Sequence, residues 1–116
     1  MDLYISEITK EGKDLIKFCN KLKVADGVTK DDIMNAGFTN FSEPYLYFCK
    51  KISQHNSLIE VTLNIDIDKK DLKILNIMVL CEDFLQPIPV NKFNYDRAIE
   101  AFNMLRNKGI LEITNN

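Results

Sequence analysis

From Ser6 to Lys23 the apolar residues Ile8, Leu15, Ile16, Cys19 and Leu22 recur at the three- and four-residue steps of a helix. Ile5 and Gly12 extend that face, and lysines and acids fill the opposite one. The spacing predicts a long amphipathic N-terminal helix with a weak point at Gly12, where glycine costs about 1 kcal/mol against alanine. Thr29 then precedes Lys30-Asp31-Asp32, a threonine placed to cap a helix whose first-turn acids complement the dipole. Ile33 and Met34 give this short second helix its apolar side. Gly37 ends it in a left-handed conformation, and Phe38 folds back over it.

Beyond Pro44 the period falls to two. Tyr45 to Ser53 is rich in aromatic and β-branched residues, with Tyr45 and Tyr47 on one side and Phe48 on the other. Gln54-His55-Asn56-Ser57 reads as a turn. In Leu58 to Asp66, Ile59, Val61, Leu63 and Ile65 alternate with Glu60, Thr62, Asn64 and Asp66, the pattern of a strand with one buried and one wet face. After the turn at Asp68-Lys69-Lys70-Asp71, Leu72 to Cys81 is apolar on both sides. Leu72, Ile74, Met78 and Leu80 share one side; Leu75, Ile77, Val79 and Cys81 share the other. Such a strand needs a cover on its second face, either another element of the chain or another molecule. Pro87 and Pro89 force an extended connection. Asn94 caps a final helix over Tyr95 to Asn107, with Ala98, Ile99, Phe102 and Leu105 as its core stripe, and Ile110 to Thr114 is a short last strand at an edge.

The predicted order is α-α-β-β-β-α-β. It describes an α+β domain: an antiparallel meander of three strands plus a short C-terminal edge strand, packed with a long N-terminal helix, a short second helix and a C-terminal helix. With 116 residues, the chain is the size of one such domain, residues 1–116.

Composition narrows the function classes. At 46% hydrophobic and 28% charged residues the chain is too apolar for disorder. Its longest uncharged apolar run, Ile74 to Cys81, contains Asn76 and is far shorter than the roughly 20 residues of a membrane span. The N-terminal residues lack the basic-then-apolar plan of a secretory signal, and Cys19, Cys49 and Cys81 are an odd, widely spaced set suited to a reducing compartment. A cytoplasmic address is expected. The net charge of −2 removes any general pull toward nucleic acid or anionic lipid.

Catalytic and metal-binding patterns are not assembled. His55 is the single imidazole, with no nucleophile motif beside it. Asp66, Asp68 and Asp71 surround one turn without the glycine and terminal glutamate of a calcium loop, and the cysteines and histidine lack zinc-ligand spacing. Four isolated glycines build no phosphate cradle. The expectation is a chain that is not an enzyme and carries no catalytic residues, metal or cofactor.

Two binding surfaces stand out. Lys10, Lys13, Lys17 and Lys21 lie three, four and four residues apart, one face of a helix, and would contact phosphates as point charges. Glu7, Glu11 and Asp14 dilute that face. The second surface comprises Tyr45 and Tyr47 with Leu75, Ile77 and Val79 on the doubly apolar strand. If both long helices cover the same side of the sheet, this set is exposed as a protein interface, either with a partner or with a second copy of the chain.

Thr29-Lys30-Asp31-Asp32-Ile33-Met34-Asn35-Ala36-Gly37-Phe38, followed by the helix Ala98 to Leu105 and the closing Gly109-Ile110-Leu111-Glu112-Ile113, resembles small uncharacterised phage and mobile-element α+β proteins in pattern. The resemblance spans residues 29 to 113 and carries no activity or site residues with it. Together these readings lead to a small interaction protein, an inhibitor or immunity-type factor that binds a host or partner protein through a sheet face or edge. Direct nucleic-acid binding through the lysines is the alternative, and a ligand or enzymatic pocket formed only in three dimensions is the third.

Overall fold

The computed structural model describes residues 1–41 and 43–114. Among the described residues ten elements follow one another: β1 (Asp2–Tyr4), α1 (Lys10–Cys19), β2 (Leu22–Val24), α2 (Lys30–Asn35), β3 (Tyr45–Lys51), β4 (Val61–Asp68), β5 (Ile74–Cys81), β6 (Gln86–Pro87), α3 (Lys92–Asn107) and β7 (Leu111–Ile113). The α+β class is as the periodicity predicts, but the sheets are not a plain meander. The three central strands pair in sequence, β3 to β4 to β5, all antiparallel. β1 adds to β5 in parallel and β6 joins the same edge of β5, giving a mixed five-stranded sheet. β7 is not an edge of this sheet; it pairs with β2 in a separate two-stranded ribbon.

The long N-terminal helix is shorter than its periodicity suggests. Thr9 caps it, its hydroxyl accepting the Gly12 N–H at 3.0 Å and donating to the Val90 carbonyl at 2.6 Å. That second bond ties the helix start to the segment preceding α3. The helix stops at Asn20, and Leu22, in phase with the helical face, is buried as a strand residue instead. Pairing with β7 overrides the helical spacing there, with Thr114 donating to the Lys21 carbonyl at 2.6 Å and Ala25 to the Ile110 carbonyl at 2.9 Å. Ile8, at the other end, is exposed.

Gly12 is a requirement of the packing rather than a weak point. A Cβ there would collide with the backbone carbonyl of Ser6, which lies against the helix where the chain turns from β1 into α1. The second helix matches its signals closely: Thr29 and Asp32 form a reciprocal capping box, Gly37 has φ of 111°, and Phe38 is buried against Phe48 with ring centroids 5.3 Å apart. In α3 the cap is Asn91, which accepts the Asn94 N–H at 2.7 Å, so Asn94 lies within the first turn.

One apolar cluster unites α1 and α3 with one face of the main sheet. Leu15 and Cys19 of α1, Ala98, Phe102 and Leu105 of α3, and Leu46, Phe48, Leu63, Ile65, Ile77 and Val79 of the strands all belong to it. Phe18 and Phe102 meet between the helices at 5.6 Å. No helix among the described residues is long and apolar enough to cross a membrane.

Candidate functional site

Cross-strand register sorts the main sheet into two sets of rows, because successive residues of a strand point to opposite faces. The row Phe48, Ile65, Ile77, Leu3 and the row Lys50, Leu63, Val79 face the helices. On the other face lie Tyr47, Asp66, Asn76 and Asp2 in one row, Cys49, Asn64, Met78 and Tyr4 in the next, and Lys51, Thr62, Leu80 and Pro87 in a third. Tyr45, Tyr47, Met78 and Leu80 stay outside the apolar cluster and are partly exposed.

The register corrects the surface predicted from the sequence. A bulge opposite Asp66 and Ile67 pushes Leu75 out of the ladder, so Leu75 and Ile77 do not share a face. Leu75 is 37% exposed, whereas Ile77 and Val79 are fully buried beneath the helices and offer no surface. Tyr45 and Tyr47 do lie on the uncovered face. Their companions there are Met78 and Leu80, which the sequence reading grouped on the opposite side.

These side chains surround a shallow depression of about 340 Å³, walled by Phe41, Tyr45, Tyr47, Met78, Leu80 and Leu85 and floored by Asn64 and Asp66, with Glu43 on its rim. Phe41 and Tyr47 stand with ring centroids 6.1 Å apart and tilted by 45°; Tyr45 and Tyr47 meet edge to face at 6.5 Å. The Lys69 ammonium holds the segment carrying Phe41 by donating to its carbonyl at 2.7 Å. On the far side Leu85 sits at φ of 52°, a left-handed conformation that leucine rarely adopts, with its side chain exposed.

Asp66 is the unusual member. The alternation of β4 predicts a wet aspartate, yet it is only 9% exposed, sunk among the larger side chains of neighbouring rows. Its carboxylate accepts no hydrogen bond from the described residues but keeps contact with solvent, whereas Asn76, beside it in the row, has its Oδ1 enclosed and without a partner. Desolvation pushes the Asp66 carboxyl above the usual carboxylate range, because burial disfavours the charged form. The Tyr45 hydroxyl is raised as well, by desolvation first and then by the charges of Glu43 and Asp66.

The remaining candidates are dispersed. Lys10, Lys13 and Lys17 are exposed along α1, Lys10 lying 3.9 Å from Asp14, but Lys21 falls beyond the helix end. Asp68 caps its own turn by accepting the Lys70 and Asp71 N–H groups at 3.0 and 2.6 Å, apart from Asp66. His55 is exposed on the β3–β4 loop. Cys19 and Cys81 are buried, and burial pushes the Cys19 thiol up to about 12, while Cys49 is exposed on the open face. Desolvation and then the Glu82 charge push the Cys49 thiol up as well, so under native conditions a thiol reagent should modify Cys49 alone and slowly, with the other two reacting only on unfolding; a mass spectrum showing native modification of Cys19 or Cys81 would contradict this core.

No protein-family model matches the chain, and no curated protein does. Among solved structures it is similar to a DUF1831 family protein from Lactobacillus plantarum, with a TM-score of 0.62 over 78% of this chain and 84% of that one. The sequence identity is 14%, so the likeness extends to the fold alone.

Proposed function

We propose that this chain is a non-enzymatic protein-interaction protein that receives a partner protein on the uncovered face of its main sheet. The observation that carries the reading is the partial exposure of Tyr45, Tyr47, Met78 and Leu80 on the sheet face opposite α1 and α3. Tyrosine and methionine supply adaptable apolar area that is favoured at interfaces. The surface is enlarged at its border by Phe41 and Leu85, 66% and 74% exposed. A stable scaffold with one such face suffices for an inhibitor or immunity-type factor of the kind carried by phages and mobile elements. The chain's unpaired cysteines suit action in the cytoplasm.

Met78→Lys and Leu80→Lys place charges on this face without entering the core. In quantitative affinity purification from cells producing the chain, each variant should lose at least tenfold of a specific partner captured by the wild type while keeping its melting temperature. Retention of that partner by both variants, or its loss only in a Lys13→Glu, Lys17→Glu double variant, would move the binding surface away from the sheet.

A further inference from the structure

We infer that the depression on the open face receives an arginine side chain of the partner, with Asp66 as its counter-ion and the rings of Phe41, Tyr45 and Tyr47 as its walls. The inference rests on the reading of this face as a docking surface and names the chemistry that the face selects.

Asp66 is a carboxylate nine-tenths buried that lines the depression and has no hydrogen-bond donor among the described residues. Its carboxylate oxygens are not among the fully enclosed polar atoms, which leaves them reachable through the depression; part of their hydration is lost there, and a cation delivered from outside replaces it. Neither neighbour in its row, Tyr47 or Asn76, supplies that donor. The Lys69 ammonium is engaged with the Phe41 carbonyl.

The walls select among cations. Three aromatic rings line the depression and stand at angles to one another rather than stacking together. A guanidinium lies flat on such faces while its fork donates two parallel hydrogen bonds to one carboxylate, a combination that the compact, strongly hydrated lysine ammonium does not match. Glu43 on the rim adds a second negative charge in the direction of approach, and the chain as a whole carries a net charge of −2.

The test uses two probes of the same shape: the N-acetyl, N-methylamide derivative of arginine and that of citrulline, which replaces the guanidinium by a neutral urea. Titrated into the ¹⁵N-labelled full chain, the arginine compound should shift the amide resonances of Tyr45, Tyr47, Asp66 and Met78, and the citrulline compound should bind at least tenfold more weakly. Asp66→Asn should remove the preference. This variant should also melt at or above the wild-type temperature at neutral pH, because the amide has no charge to desolvate, which makes loss of binding distinguishable from loss of fold. Tyr47→Leu should weaken the arginine compound independently. Equal responses to the two probes, or shifts confined to other surfaces, overturn the inference. If the Met78→Lys and Leu80→Lys variants lose a partner while the arginine compound does not bind, the docking face stands and the arginine assignment alone falls. If the partner is retained and the compound does not bind, both fall.

Discussion

Gly12→Ala should destabilise the fold by about 2–3 kcal/mol, the scale of overpacking a filled site. Its helical context alone argues for the opposite sign, since alanine is favoured over glycine in a helix by about 1 kcal/mol. The reversal comes from the segment between β1 and α1. The chain leaves the parallel pairing of Asp2–Tyr4 with β5, turns through Ser6, and enters the helix at Thr9. Only a residue without a side chain lets the Ser6 carbonyl rest against the first helical turn. The added methyl must push that carbonyl away, and the displacement strains the neighbouring Thr9 cap and its bond to Val90. Urea denaturation curves of the two proteins measure the difference directly. An alanine variant as stable as the wild type, or more so, would show that the β1–α1 turn does not lie where the structure places it.

Ile77→Ala and Met78→Ala should differ sharply although the residues are adjacent. Ile77 is fully buried beneath the helices, so its truncation leaves a cavity and costs about 2–5 kcal/mol. Met78 faces outward and is partly exposed, and its truncation should cost under about 1 kcal/mol. The same equilibrium unfolding experiment reads both. Equal losses would mean that the outer face is covered within the monomer, which would remove the basis for a docking surface. The pair also separates stability from binding, because Met78→Ala is expected to weaken partner capture while the far more damaging Ile77→Ala leaves the docking residues in place.

Much of the architecture was legible because it rests on local chemistry. Thr29, Asp32 and Gly37 mark the ends of α2 through a capping box and a left-handed residue, interactions made within a few residues of one another. The alternation of Ile59, Val61, Leu63 and Ile65 marks β4, although the strand begins at Val61 and runs to Asp68, leaving Leu58 and Ile59 exposed in the preceding loop. The site was legible only in part. Tyr45 and Tyr47 were visible as an aromatic pair on one side of β3, but the pairing register of β5 puts Met78 and Leu80 beside them, and the bulge takes Leu75 off the alternation of Ile77 and Val79. Which side of β5 faces out depends on its register with β4 and on where the helices pack, and a strand apolar on both sides offers no contrast by which to read either.

By itself the sequence determined the α+β class, the capped second helix, the succession of three antiparallel strands and the C-terminal helix, since each is specified by the period of apolar positions or by a short-range cap. Only the tertiary structure decided that residues 2–4 and 22–24 are strands, that the last strand pairs with β2, that both long helices cover one face of the sheet, and that Asp66 is buried on the other. Those outcomes depend on partners far away in sequence: β5 for β1, β7 for β2, and the aromatic side chains of β3 and its preceding segment for Asp66. A three-residue strand has too few positions to display a period, and the burial of a polar residue depends on the side chains that fold over it.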